Sequence, residues 1–479
     1  MSKDEQIEEL IRENAELKQL INSLTVSVEQ LNQTIKELNE KLNKNSKNSS
    51  KPPSSDGLKK LVTKSLRQSS GKKAGAQQGH AGAHLVVMSD PDDVLKHLPD
   101  GCESCSNLSK CMERRACVVE KRHVLDAIVS VHVTEHQRIE MIKCPFHDGQ
   151  TLAGTFPENV LATVQYGDNL KALAVTLNTV GMVSIKRTHE ILGGVFSIPI
   201  STGTISSMVK KCAESVSNTV NSIRQKVINS AIVHFDETGT RVEGKTMWVH
   251  NSSTEEYTYL SVHQKRGIDG MNDNGVLPVF HGIAMHDCWK SYWKYDVTHA
   301  ICCAHLLREL TGIEENDPEQ KWATKFKELL LEMKKVKDKA LVAGKSALSY
   351  YHLHKFDSNY KAILQQAIEL NPIPVTTEKK RGRKKKGKIL ALVERLREYK
   401  ASVCLFIKNF AVPLDNNQAE RDIRMIKIKT KVSGCFRSKH GAIDFLKIMS
   451  YVGTAKKRGI NSYKAIKNVI AGNPDFILD

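Results

Sequence analysis

Leucine recurs at every seventh residue, at Leu10, Leu17, Leu24, Leu31 and Leu38. A second series, Ile7, Ile21, Val28, Ile35 and Leu42, keeps the companion spacing, with Asn14 the one polar member. A heptad kept this strictly over five repeats is sustained by a partner helix more readily than by packing within one domain, so residues 4–43 are expected to form a leucine-zipper coiled coil. Mostly branched residues at one core position and leucine at the other favour a parallel two-stranded coil, and Asn14 disfavours other registers. The chain is expected to be a homodimer or higher oligomer.

Residues 44–84 change to Lys, Asn, Ser, Gly and Gln with few large apolar side chains, a composition that cannot offset its ordering entropy and reads as a flexible basic linker. Cys102 and Cys105 then form a CxxC, and Cys144 and His147 a CxxH, separated by an alternating apolar run through Val129, Val131 and Val133. Three thiolates and an imidazole suit one structural Zn²⁺, the two knuckles bridged by a hairpin in a ribbon-like domain over 85–155; Cys111 and Cys117 are alternative ligands. Residues 156–230 show helical periodicity, with a break at Gly193 and Gly194 and a new start near Pro199, Ser201 and Thr202. Both a DNA-binding helix-turn-helix and ordinary packed helices fit that pattern.

Two short apolar runs end in acids: AIVHFDE brings a strand to Asp236, and VFHGIAM runs through His286 to Asp287. A third acid, Glu420, follows a capping signal made by Asp415 and Gln418, which predicts a helix with Glu420 in its first turn. Arg424, Lys427 and Lys431 recur on the face that bears Glu420, a pattern suited to holding metal and DNA phosphate together. Any one of these acids alone would read as a solvated surface group; the combination points to oxygen ligands for two hard cations, Mg²⁺ or Mn²⁺, in phosphoryl transfer.

Four segments, DETGTRVEGK from Asp236, HDCWKSYWKY from His286, CCAHLLRELTG from Cys302 and VPLDNNQAERDIRMIKIKTKVSGCFRS from Val412, together resemble insertion-sequence-66 family transposases. NSSKPPSSDG from Asn48 and SYVGTAKKRG from Ser450 fit the same order, so the resemblance spans nearly the whole chain. It implies a multidomain α/β protein in which an RNase H-like catalytic core of the DDE type (231–435) carries a helical insertion at about 315–410 and is followed by a C-terminal helical segment, 436–479. The parallel coiled coil, the zinc-ribbon-like segment and the helical segment precede that core. The implied activity is metal-dependent cleavage at terminal inverted repeats and strand transfer by 3′-hydroxyl attack, with Asp236, Asp287 and Glu420 as the triad. His305, in a CxxH with Cys302, is implied to lie near the scissile phosphate, though a core histidine fits equally; Arg421 and Arg424 are implied DNA contacts. The second zinc knuckle departs from the family's usual CxxC, having Cys144 and His147. Small accessory transposition proteins are implied partners. Within the insertion, KKRGRKKKGK from Lys379 reads as an exposed loop whose Arg381 and Arg383 suit a narrow minor groove.

Lys and Arg outnumber Asp and Glu by 18, in clusters, which favours DNA over a small acidic substrate as the partner. No apolar run approaches the roughly 18 residues of a membrane span, so no membrane partner is expected. An odd count of 11 cysteines with no N-terminal apolar signal segment suggests a reducing compartment, the cytoplasm of a bacterium, with nucleoid association during action. The competing class is an inactive or domesticated transposase that acts as a DNA-binding regulator; a coiled-coil scaffold leaves the acidic and basic segments unexplained.

Overall fold

The computed structural model describes residues 3–49, 90–114, 116–125, 130–144, 146–148, 150–372 and 387–478. Lys3–Asn43 is one uninterrupted helix, α1, as the heptad spacing predicts. Leu10, Leu17, Leu24, Leu31 and Leu38 are each more than half exposed along it. The stripe has the geometry of a helix seam without its partner.

Thr63–Gly154 cluster as a separate compact unit. Its described part holds a short helix, α2 (Leu108–Arg114), and an antiparallel hairpin of β1 (Glu140–Cys144) and β2 (Gln150–Ala153). The hairpin expected between the two knuckles lies around the second of them: Val131 and Val133 of the alternating run are exposed and outside any strand, and Val129 lies outside the described residues. Alternation specifies a face and not a hydrogen-bonding neighbour, and pairing begins only at Glu140.

In the other unit, four helices precede the sheet: α3 (Asp168–Thr179), α4 (Ile185–Phe196), α5 (Thr202–Ser215) and α6 (Ser217–Ile228). The break expected at Gly193 and Gly194 falls instead at Ser197, in the left-handed region with φ 53°. Each helical glycine costs about 1 kcal/mol, but Leu192 anchors this part of α4 in a core with Ala174, Ile200 and Ile205. Ser201 caps α5 through Oγ, which accepts the Thr204 N–H at 3.0 Å.

A mixed sheet follows, built from β3 (Ile232–Val242), β4 (Lys245–Ser253), β5 (Thr258–His263) and, after α7 (Ile268–Asn274), β6 (Ile283–His286) and β7 (Thr298–Ile301). The spatial order is β5-β4-β3-β6-β7, with β3 antiparallel to β4 and parallel to β6. Glu243 and Gly244 join β3 to β4 with φ 52° and 73°, the two-residue turn whose twist matches that of the strands.

Helices α8 (Cys303–Asn316), α9 (Lys321–Val342), α10 (Tyr350–Leu370), α11 (Lys388–Glu398), α12 (Lys400–Val403) and α13 (Leu405–Lys408) share one core with Met285, Ala300 and Ile301 of the sheet. Ala284, the neighbour of Met285 and so on the opposite face, packs with Val233 and Phe235 against α15 (Lys439–Lys457) and α16 (Ser462–Ile470). Between them in sequence, α14 (Asn417–Ser433) lies on β3 and β4. Residues 44–49, expected to begin the flexible linker, are instead docked on α8: Ser46, Asn48 and Ser49 are buried. Asn48 Nδ2 donates to Glu315 at 2.7 Å, and Gly312 leaves room for the Asn48 carbonyl, which would stand 2.3 Å from any Cβ there.

The edge strand β5 is closed by α15. Its outward N–H groups recur every second residue, about 6.6 Å apart, close to the 6 Å between helix positions four apart. Thr258 N–H donates to Thr454 Oγ1 (3.1 Å) and Leu260 N–H to Ser450 Oγ (2.9 Å). Gly453 allows the approach, since a Cβ there would meet Thr258 Cβ at 3.1 Å, and Lys457 on the same face donates to the carbonyls of Thr254 and Tyr257 and to Asp422. The SYVGTAKK segment is thus a hydrogen-bonding face for a strand. Thr454→Val keeps the shape and strands the Thr258 N–H, so it is expected to cost about 1–3 kcal/mol in urea unfolding, while Thr454→Ser stays near the parent; equal stability of the valine variant would contradict the role.

Candidate active site

The parallel register pairs His234 with Met285. Two residues further along each chain stand Asp236, paired with Asn251 inside a β3 that runs on to Val242 and does not end at the acid, and Asp287, just past the end of β6, so both acids lie where the pairing of β3 with β6 stops. Asp287 Oδ1 accepts the Trp289 N–H at 2.9 Å, and Cys288 between them is left-handed with φ 70°. Behind this turn, Cys288 N–H donates to His286 Nδ1 (3.0 Å), His286 Nε2–H to His299 Nδ1 (3.0 Å), and His299 Nε2–H to the Tyr295 carbonyl (3.2 Å). Both rings are neutral in this chain, and burial lowers the pKa of each.

Glu420 lies in the first turn of α14, as the sequence predicts, but the cap differs. The N-cap is Asn416 without a side-chain cap bond, and Gln418 bonds Asp422 in place of closing a box with Asp415. Asn416 is committed elsewhere: its Nδ2 donates to the Phe235 carbonyl (2.7 Å), its Oδ1 accepts from His234 Nδ1 (2.8 Å), and its N–H donates to Cys302 Sγ (3.1 Å). Asp415 Oδ1 takes the Asn417 N–H at 3.1 Å. These bonds fix the start of α14 against β3 and α8, and Glu420 Oε1 comes to stand 3.6 Å from Arg308 Nη2 and 3.9 Å from His305 Nε2.

Burial, then the nearby charges of Glu237, Asp287 and Glu420, push the Asp236 carboxyl up to about 8. Glu237, next in the strand, was not singled out by sequence. Its side chain is buried, held by the Tyr292 hydroxyl and by Arg266 at 3.3 Å, and pushed up to about 7 by that burial despite those partners. Arg266 also stands 3.6 Å from Asp287, with its guanidinium 4.1 Å from the Trp289 ring centre and 5.3 Å from that of Trp248. Glu237 was readable as the second acid of a doublet; Arg266, Tyr292 and Arg308 reach the site only through tertiary pairing. Among the described residues, four carboxylates thus gather around two guanidiniums, and Glu420 Oε1 has no hydrogen-bond partner. A cluster of hard oxygen donors short of positive charge fits divalent cations.

On α14, Arg424 and Lys431 are exposed and Lys427 is half-buried on the face of Glu420; Arg421 is exposed and donates to Gln418 at 2.8 Å. Arg381 and Arg383 lie outside the described residues. Of the four expected zinc ligands, all in the separate unit, Cys105 N–H donates to the Cys102 carbonyl at 3.1 Å in the turn before α2. His147 sits in the β1–β2 turn, and the Cys144 side chain is outside the described ones.

Two families match the chain: the one described as Transposase IS66 family over residues 163–444, and a family of unknown function over residues 3–86. No curated protein matches it.

The raised Asp236 carboxyl gives a signed expectation. Its ordinary value is 3.8, so between about 4 and 8 the folded protein keeps a proton that the unfolded chain has released; the stabilisation is full below about pH 4 and is lost as pH rises through about 8. In chelator, thermal unfolding of Asp236→Asn is expected to match the parent near pH 4 and to exceed it increasingly towards pH 9. A constant difference across that range would mean that neither burial nor the neighbouring acids raise the Asp236 carboxyl.

Proposed function

The chain belongs to the IS66 family of transposases, and on that premise we propose that it cuts DNA at the terminal inverted repeats of its element and joins the freed 3′ hydroxyl to target DNA at Asp236, Asp287 and Glu420. The observation that carries this reading is the convergence of three acids from the middle of β3, the end of the adjacent parallel strand β6 and the first turn of α14, close enough for their charges to raise Asp236. Three antiparallel strands extended by two parallel ones on the side of the first support an RNase H-like core of the DDE type.

The oxygen-rich cluster and Glu420 Oε1, which has no hydrogen-bond partner, suit two Mg²⁺ or Mn²⁺ ions. When bound, such ions supply Lewis acidity to the attacking and leaving oxygens of an in-line displacement. The protein's own part is placement. Adjacent strands set the spacing of Asp236 and Asp287, the Trp289 N–H orients Asp287, and Asn416 fixes the helix that presents Glu420. Arg266 offsets charge at Glu237 and Asp287, and His305 adjoins Glu420 where a scissile phosphate would lie. Arg421, Arg424, Lys427 and Lys431 offer phosphates a track beside Glu420.

The same reading assigns one structural Zn²⁺ to Cys102, Cys105, Cys144 and His147, minor-groove contact to Arg381 and Arg383, and pairing of two copies to the exposed leucines of α1. Transposon ends and target DNA are its partners, with small accessory proteins beside them, in the bacterial cytoplasm. No described helix is long and apolar enough to cross a membrane.

Asp236→Asn, Asp287→Asn and Glu420→Gln are each expected to reduce Mg²⁺-dependent strand transfer by at least about a hundredfold while end-DNA binding persists. Joining by Asp236→Asn at the parental rate overturns the assignment, and a parent that binds ends without any metal-dependent nicking is a regulator descended from a transposase. Leu17→Lys combined with Leu24→Lys is expected to shift sedimentation equilibrium from dimer to monomer; an unchanged mass would place the contact elsewhere.

A further inference from the structure

Beside the three acids a second donor set converges. Cys302 is the N-cap of α8, His305 lies in the first turn of that helix and Glu420 in the first turn of α14, and one ligand atom from each lies within 4.8 Å of the others. The Cys302 side chain is fully buried, and its Sγ accepts the N–H of Asn416, the N-cap of α14. The sulfur therefore meets two helix N-termini, whose positive ends favour negative charge there, while burial in the metal-free protein pushes its pKa up to about 12. His305 Nδ1 and Glu420 Oε1 are buried without hydrogen-bond partners, and buried polar atoms are ordinarily paired.

We propose that Cys302, His305 and Glu420 bind one thiophilic divalent cation, Zn²⁺ by the chemistry of the donors, and that this ion inhibits the enzyme by drawing Glu420 away from the hard cations. A thiolate, an imidazole nitrogen and a single carboxylate oxygen select Zn²⁺ over Mg²⁺ and leave a fourth position for water. Tetrahedral zinc holds such donors roughly 3.3–3.8 Å apart, so the cluster contracts by about 1 Å on binding. Arg308, 3.6 Å from Glu420 Oε1 and partly exposed, turns outward as the ion enters. The Cys302 proton is released to solvent. The binding half stands on this geometry alone; the inhibitory half rests on the proposed role of Glu420.

The test begins with full-length, metal-stripped protein titrated with Co²⁺. Relative to the parent, Cys302→Ala is expected to lose one equivalent of bound Co²⁺ together with one thiolate's share of the sulfur-to-cobalt absorption. Glu420→Gln, at the less buried end of the cluster, is expected to keep that absorption at a cobalt affinity at least tenfold weaker. Equal stoichiometry and absorption in parent and Cys302→Ala overturns the site, as does an unweakened Glu420→Gln. Strand transfer in Mg²⁺ then reads the second half, each protein normalised to its own zinc-free rate: Cys302→Ala is expected to need at least ten times more Zn²⁺ for half-inhibition. Equal sensitivity overturns the inhibition. Should the parent fail to join DNA at all, the proposed function falls while the cobalt comparison still decides the site.

Discussion

The side chain of one asparagine holds the site together. Asn416 bonds His234 and Phe235 in the central strand, and its N–H bonds Cys302 at the head of α8, partners 182, 181 and 114 residues away in sequence. Both ends of the amide are used inside the protein, so loss of either bond leaves a buried polar group unpaired, which costs more than the bond itself contributes. The position of Glu420 follows from this lock, because it lies one helical turn, four positions, beyond the asparagine. A surface loop in the same place would leave the third acid free to wander.

Charge is the second constraint. A fold that gathers Asp236, Glu237, Asp287 and Glu420 must tolerate their repulsion, and it does so by different means for each. Burial and its neighbours push the Asp236 carboxyl up to about 8, Glu237 leans on Tyr292 and Arg266, Asp287 shares that arginine, and Glu420 faces Arg308. The neutral His286–His299 chain behind Asp287 adds rigidity without adding charge, since each donor and acceptor in it is spoken for by the next. Stiff backing and unbalanced front are separate properties, and the strand ends provide both.

Much of this was legible in the sequence where a local pattern encodes it. The heptads define α1 to within a residue, the apolar runs locate β3 and the end of β6 at Asp287, and the acid-then-basic spacing after Asp415 locates α14, whereas the strand read as ending at Asp236 runs on to Val242 because β4 pairs with it. The misses have one physical origin: partners supplied by distant chain. Gly193 and Gly194 remain helical because Leu192 has a core to enter, the expected cap fails because Asn416 is taken by β3, and Ser46, Asn48 and Ser49 are buried because α8 offers Gly312. Arg266 and Tyr292 carry no local signature, and only the fold brings them to the acids.

The contact of α15 with β5 has a further consequence. An unpaired strand edge recruits strands from other molecules, and basic proteins that work on long DNA meet one another at high local concentration. Ser450 and Thr454 occupy the hydrogen bonds that a foreign strand would use. The helix after the last acid is therefore a guard against polymerisation. A chain cut short before it would present its five-stranded sheet as a template, and its failure would take the form of aggregation.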